Sequence, residues 1–182
     1  MSRIIAGTHK GRRLHAVPTD ATRPTSDRVK ESLFSRLEGY DALIDAVVVD
    51  LFAGSGALGL EALSRGAASA ELVDKAEAAH RTLSRNAAHF GSAAGAHKAD
   101  ALRYLSARQG PPVELLFLDP PYQLREQALA DILAAALPQL HEAATVVVER
   151  DEHSPEPSWP EGMVRFQDKK YGSTHIWLAE PA

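Results

Sequence analysis

Val47-Val48-Val49-Asp50-Leu51-Phe52-Ala53-Gly54-Ser55-Gly56-Ala57-Leu58-Gly59 decides the fold. Its valine run shows no polar alternation, the pattern of a strand buried on both faces of a parallel sheet. Gly54, Gly56 and Gly59 follow at G-x-G-x-x-G spacing, where a strand turns into a helix. Leu60, Ala62 and Leu63 open that helix, and Gly66 can end it. A second strand, Ala70-Glu71-Leu72-Val73, ends at Asp74, twenty positions after Gly54. Glycines let backbone approach a ligand closely, and an acid at that distance can bond a ribose diol. The loop therefore predicts an adenosine-type cofactor and leaves open a nicotinamide dinucleotide or S-adenosylmethionine.

Working outward, strands and helices alternate. Val29, Leu33 and Leu37 share one face of a helix over 27–37, with Ser26 as N-cap. Ala76, Ala79, Leu83, Ala87 and Phe90 mark a long helix after Asp74. A weak strand at 95–99 ends at Asp100. The run 113–118 is another strand, Leu129 to Leu137 another helix, and 144–149 a fifth strand. Two closing strands, 163–169 and 174–179, have only Lys170-Tyr171-Gly172-Ser173 between them, which predicts a hairpin. The expected fold is α/β, Rossmann-like and doubly wound: a mostly parallel seven-stranded sheet with one antiparallel edge strand and helices on both faces. Arg3–Ala6 and Arg13–Val17 predict a small β-hairpin arm before it.

Asp119-Pro120-Pro121-Tyr122 stands at the exit of the 113–118 strand. Proline has no N–H and a fixed φ, so two in succession stop the ladder. The carbonyls of Asp119 and Pro120 are left to accept from another partner. A carboxylate, a free carbonyl and an aromatic ring together suit a nucleobase amine, with Tyr122 stacked on the base. Asp50, buried inside the first strand, needs a partner of its own. It suits loop N–H groups or a cationic amino group. Asp100 is placed for an adenine amine, but equally as an N-cap for a helix opening at Ala101.

Charge is divided unevenly. Through Arg36, eight Lys/Arg stand against three acids; beyond it, twelve stand against twenty-one, for a net charge of −4. A basic arm on an acidic body predicts a polyanionic partner, gripped by Lys10, Arg12, Arg13, Arg23, Arg28 and Lys30. The chain has no cysteine, which excludes disulfides, thiolate zinc sites and cysteine nucleophiles. The eight histidines show no HxH or HExxH spacing, so no metal is expected. No apolar run approaches ~18 residues, so no membrane span is expected, and no signal peptide is read at the start. A cytoplasmic protein is expected.

With the glycine loop and Asp119-Pro120-Pro121-Tyr122 on one chain, the sequence resembles class I S-adenosylmethionine-dependent methyltransferases. More narrowly it resembles the RsmD family of 16S ribosomal RNA guanine-N2 methyltransferases. The narrower likeness rests on Arg3-Ile4-Ile5-Ala6-Gly7 with Lys10-Gly11-Arg12, and on Arg23-Pro24-Thr25-Ser26-Asp27-Arg28-Val29-Lys30-Glu31. It continues through Asp50 to Gly56, Asp119 to Tyr122, and Lys170-Tyr171-Gly172. The resemblance implies methyl transfer from S-adenosyl-L-methionine to a guanine amine of 16S ribosomal RNA, by a monomer acting on assembled or assembling small subunits. It implies a division into a basic arm, 1–25, and a methyltransferase domain, 26–182. Cofactor residues would be Asp50, Phe52, Ala53, Gly54, Ser55, Gly56, Asp74, Lys75, Asp100, Ala101 and Asp119. Asp119, Pro120, Pro121 and Tyr122 would be catalytic. Substrate contacts would come from Lys10, Arg12, Arg13, Arg23, Thr25, Arg28, Lys30, Tyr122, Lys170 and Tyr171, with Arg23 and Thr25 facing either cofactor or RNA. Three rivals stay open: an adenine-N6 or cytosine-N4 methyltransferase, an NAD-dependent oxidoreductase, and a non-catalytic RNA-binding protein.

Overall fold

The computed structural model describes residues 2–18 and 25–182. Arg23, expected at the cofactor or the RNA, lies outside the described residues. Helix α1 spans Asp27–Gly39, and the Ser26 hydroxyl accepts the Val29 N–H as its N-cap. There follow β1 (Val47–Asp50), α2 (Ala57–Ser64), β2 (Ser69–Asp74), α3 (Glu77–Ala87), β3 (Ala94–Lys98) and α4 (Ala101–Ala107). Then come β4 (Val113–Leu118), α5 (Glu126–Ala136), β5 (Leu140–Asp151), β6 (Met163–Tyr171) and β7 (Thr174–Pro181).

The seven strands lie in the order β3-β2-β1-β4-β5-β7-β6. The first five are parallel to one another. The expected antiparallel strand is β7, which pairs with β5 on one side and β6 on the other, so it sits one place in from the margin. Chain direction across the sheet reverses between β1 and β4. That switch point opens a crevice at the strands' carboxyl ends, where open α/β sheets bind ligands.

Successive residues of the central strands feed two cores. Val48, Leu115, Phe117 and Val147 pack with Phe34, Leu60 and Leu83 from α1, α2 and α3. Val49, Leu116, Leu118 and Val148 pack with Leu105, Leu129 and Leu133 from α4 and α5. The period-2 geometry of a strand makes this division unavoidable once both faces are covered.

The arm folds back on itself. An antiparallel bridge joins Arg3 to Arg13, and the Ile4 N–H donates to the Arg12 carbonyl at 2.8 Å. Ile4 and Leu14 are buried in the first core. Glu61 of α2 fastens the arm: its carboxylate accepts the Ile5 N–H at 2.9 Å and the Ala6 N–H at 3.1 Å. The Ser64 hydroxyl donates to the Ala6 carbonyl at 2.6 Å. Gly7 crosses this junction at φ +91°, and a Cβ there would lie 1.8 Å from the Ser64 carbonyl oxygen.

Candidate active site

The turn after β1 makes the floor. Gly56, at φ 89° and ψ 12°, caps α2 from the left-handed region. Asp74, at the end of β2, holds the loop: its Oδ2 accepts the Gly54 N–H at 3.0 Å, and its Oδ1 accepts the Ala76 N–H at 2.9 Å. Asp50 ends β1 beneath the loop, and its Oδ2 accepts the Gly59 N–H at 3.2 Å. Its Oδ1 is buried with no partner in hydrogen-bond geometry. Burial pushes the Asp50 carboxyl up to about 7; the N–H groups of Gly59 and Phe52 oppose this, and the charges of Asp74 and Glu149 add to it.

These features fit S-adenosylmethionine. A buried acceptor with one unused oxygen suits an ammonium group. A Cβ built on Gly54 would meet nothing within 4 Å, so open space lies over the loop. Ala53 is buried, Phe52 and Ser55 are half-buried, and Lys75 is exposed. Asp100 is the N-cap of α4, its Oδ2 accepting the N–H groups of Leu102 and Arg103 at 3.1 and 3.2 Å. That is the capping alternative read from the sequence. Ala101 is buried behind it.

Across the switch point, β4 delivers Asp119 half-buried and Pro120 buried, while Tyr122 is 77% exposed. The Pro121 carbonyl accepts the Leu124 N–H at 3.0 Å, which closes the turn. Arg150 secures the segment beyond it, donating to the Leu124 carbonyl at 3.1 Å and to Glu126 at 2.6 Å. Asp119 is held well above the usual carboxylate range. Burial is the main cause, followed by the charge of the neighbouring Glu149 carboxyl, with Asp50 adding repulsion and Arg150 opposing. Thr25 is at this edge too: its hydroxyl donates to the Glu149 carboxylate at 3.0 Å to Oε2 and 3.3 Å to Oε1.

Glu149 was not among the residues singled out from the sequence. Its signal was there, since it ends the apolar run Thr145–Val148 as Asp50 ends Val47–Val49. Arg150 was missed as well.

The basic residues divide. Lys10, Arg12 and Arg13 line an open cleft of about 580 Å³ with Thr8, His9, His15 and His89. Buried Asn86 joins this cleft to the glycine loop. Its Oδ1 accepts the His15 N–H at 2.9 Å, and its amide donates to the carbonyls of His15 at 3.0 Å and Ser55 at 2.7 Å. Arg28 is exposed on the first turn of α1, and Lys170 is exposed at the end of β6.

Lys30 is a correction. Expected to grip phosphate, it is 1% exposed, donates to the Arg3 carbonyl at 2.6 Å and pairs with buried Glu61 at 3.3 Å. It sits four residues before Phe34 and seven before Leu37, so helical geometry turns it inward. Tyr171 is half-buried with its hydroxyl against the Ser32 hydroxyl at 2.7 Å, and it accepts from Arg36 at 3.2 Å. That hydroxyl ties β6 to α1.

A family profile described as Conserved hypothetical protein 95 matches residues 2–180. Ribosomal RNA small subunit methyltransferase D of Haemophilus influenzae is 34% identical over 176 residues, 93% of this chain and 89% of the relative. The protein of the same name from Escherichia coli is 43% identical over 122 residues, 66% of this chain and 60% of the relative. The solved structure of yhhF from Escherichia coli matches with TM-score 0.85 at 35% identity, covering 99% of this chain and 97% of that one. At 12% identity, the structure of SMU.776 complexed with SAH shares the fold alone, with TM-score 0.67 over 81% of this chain and 48% of that one.

Proposed function

The chain belongs to the RsmD family of ribosomal RNA methyltransferases, the family described as Conserved hypothetical protein 95, and we propose that it methylates the exocyclic N2 amine of a guanine in 16S ribosomal RNA. The observation that supports this most directly is the pairing of two features at one sheet edge. One is a glycine loop over an acid with an unused buried oxygen, and the other is an acid-proline-proline-tyrosine turn with an exposed ring.

S-adenosylmethionine is the methyl donor in this reading and supplies an electrophilic methyl on a sulfonium. Asp50 would hold its ammonium group, the loop 53–56 would lie along it, and Asp74 would take its ribose. The chain's own work is done on the base. An exocyclic amine is a poor nucleophile because its lone pair is delocalised into the ring. Asp119 and the Pro120 carbonyl accept from its two hydrogens and favour a pyramidal nitrogen, which frees the lone pair. Fixing the amine in that orientation lowers the barrier through proximity, and a dry pocket strengthens the polar contacts. Asp119 need not abstract a proton first. The amine turns acidic only after methylation, and Asp119 can then take the proton. Tyr122 stacks on the base, a contact of about 1–3 kcal/mol. The guanine must be flipped out or unpaired to enter.

The cleft of Lys10, Arg12 and Arg13 would track phosphates, which position RNA without reading bases. A monomeric, cytoplasmic enzyme acting on the assembled or assembling small subunit fits this arrangement. The test is methylation of small subunits that lack the modification, with mass analysis of nucleosides. N2-methylguanine is expected; N6-methyladenine or N4-methylcytosine in its place would overturn the reading. Asp119→Ala should abolish transfer while cofactor binding stays within threefold.

A further inference from the structure

We infer that Glu149 selects guanine, its carboxylate accepting the guanine N1–H while Asp119 accepts from the neighbouring N2 amine. This rests on the guanine-N2 reading and adds the contact that would enforce it. The three amine-bearing bases differ at the ring nitrogen beside the amine. In guanine that nitrogen carries a hydrogen. In adenine and cytosine it carries a lone pair. A site that reads guanine on its N1 side therefore needs two acceptors side by side, whereas a site that reads adenine or cytosine on the corresponding edge needs an acceptor and a donor.

β4 ends in one acceptor, and β5 carries another beside it. Leu118 is in register with Val148, so Asp119 at the exit of β4 stands beside Glu149 within the parallel strand β5. Strands stand roughly 4.8 Å apart, close enough for both carboxyls to reach one base edge. Glu149 is 7% exposed, and the Thr25 hydroxyl on its carboxylate fixes its direction. Each carboxyl is an acceptor facing the other without a donor between them, and the charge of Glu149 helps to hold Asp119 above the usual carboxylate range. The two donors of guanine would stand between the carboxyls and relieve that repulsion. Arg150, the cation that acts on Asp119, directs a guanidinium nitrogen to Leu124 and Glu126 instead. A second, separate observation marks this edge as built for a ligand: Asp50 is 1% exposed and leaves its Oδ1 unpartnered. Buried acids without cations are costly to a fold, and a substrate that donates to them gives a reason to keep them.

The test replaces the target guanine with 2-aminopurine, which keeps the N2 amine and has a bare N1. Small subunits carrying either base are methylated by the wild-type protein, Glu149→Gln and Glu149→Ala. S-adenosylmethionine affinity, measured by calorimetry, reports folding. The wild type should prefer guanine by about 100-fold or more in kcat/KM, as expected where a site's buried acceptor is left unpaired. E149Q can donate to the bare N1, and its preference should fall below about 10-fold with cofactor affinity within threefold. E149A removes the acceptor and should likewise lose most of the preference; it serves if E149Q fails to bind cofactor. An unchanged preference in the variant that binds cofactor, with N2-methylguanine as the wild-type product, overturns the role of Glu149 alone. N6-methyladenine or N4-methylcytosine as the wild-type product overturns the guanine reading and this inference with it.

Discussion

Asp50→Asn should stabilise the protein at alkaline pH while weakening cofactor binding. Asp50 is 1% exposed, and burial raises its carboxyl from 3.8 to about 7. In the unfolded chain it ionises near its ordinary value. Between the two pKa values the folded protein holds a proton that the unfolded chain has released. Stability is therefore lost as pH rises through that window. At about 1.4 kcal/mol per unit, the loss due to Asp50 between pH 5 and pH 8 is roughly 2.5 kcal/mol. Asparagine keeps an oxygen for the Gly59 N–H and does not titrate. Urea denaturation of both proteins at pH 5, 6, 7 and 8, without cofactor, reads this contribution as a difference, together with the relief of Asp119, whose carboxyl Asp50 helps to raise. The variant should gain on the wild type by roughly 2.5 kcal/mol across the series, with the denaturant slope unchanged. A difference constant to within about 0.5 kcal/mol would refute the burial argument. Calorimetry at pH 8 supplies the second half. An ammonium group facing Asp50 loses its counter-charge in the variant, so S-adenosylmethionine affinity should fall at least about tenfold.

Charge reversal at Arg12 and Arg13 should weaken RNA binding and flatten its dependence on salt by about 0.7–0.9 in slope for each phosphate no longer neutralised; an unchanged slope would remove the cleft from RNA binding. Lys30→Met leaves Glu61 without one of its buried cations and should cost about 3 kcal/mol in urea denaturation, with no change in the salt slope of RNA binding; a reduced slope would restore Lys30 as a phosphate ligand. Gly7→Ala places a Cβ against the Ser64 carbonyl oxygen at 1.8 Å and should free residues 2–18 for limited proteolysis; wild-type resistance would show that the junction relaxes. Asn86→Ala orphans the His15 N–H and two carbonyls, at a cost of about 3 kcal/mol, and should lower cofactor affinity because Ser55 is one of the groups released; an unchanged affinity would mean that the loop keeps its shape without the bridge.

The fold was legible because its signals are periodic and local. Val47–Val49 reads as doubly buried because no residue in it tolerates water, and β1 pairs on both edges. The closing hairpin was legible from the short Lys170–Ser173 connection. Its insertion order was not: whether β6 or β7 meets β5 depends on which strand's apolar positions suit the inner place. Ile176, Trp177, Leu178 and Ala179 are consecutive and buried, whereas β6 carries exposed Arg165 and Phe166, so β7 takes the inside. Lys30 was misread because charge was counted without phase. Placed on the same helical wheel as Phe34 and Leu37, it faces the core, and its ammonium has to find Glu61 there.

The site was legible to the extent that function required a residue to break a local rule. Asp50 and Glu149 each close an apolar run with a carboxylate, and Asp119 stands before two prolines. None of the three is neutralised by a cation in a buried ion pair among the described residues, although this protein builds such pairs elsewhere: Glu61 has Lys30 and Arg65, and Glu71 has Arg108. The contrast separates structure from function within one chain. Where a buried acid serves the fold, as Glu61 does in holding the arm, cations accompany it. Where it stands at the carboxyl edge, it is left with a neighbouring carboxyl, a hydroxyl or an unused oxygen, and an incoming donor can bond to it. Stability lost there is borne by the two apolar cores, so the acids remain poised for a donor that the chain itself does not contain.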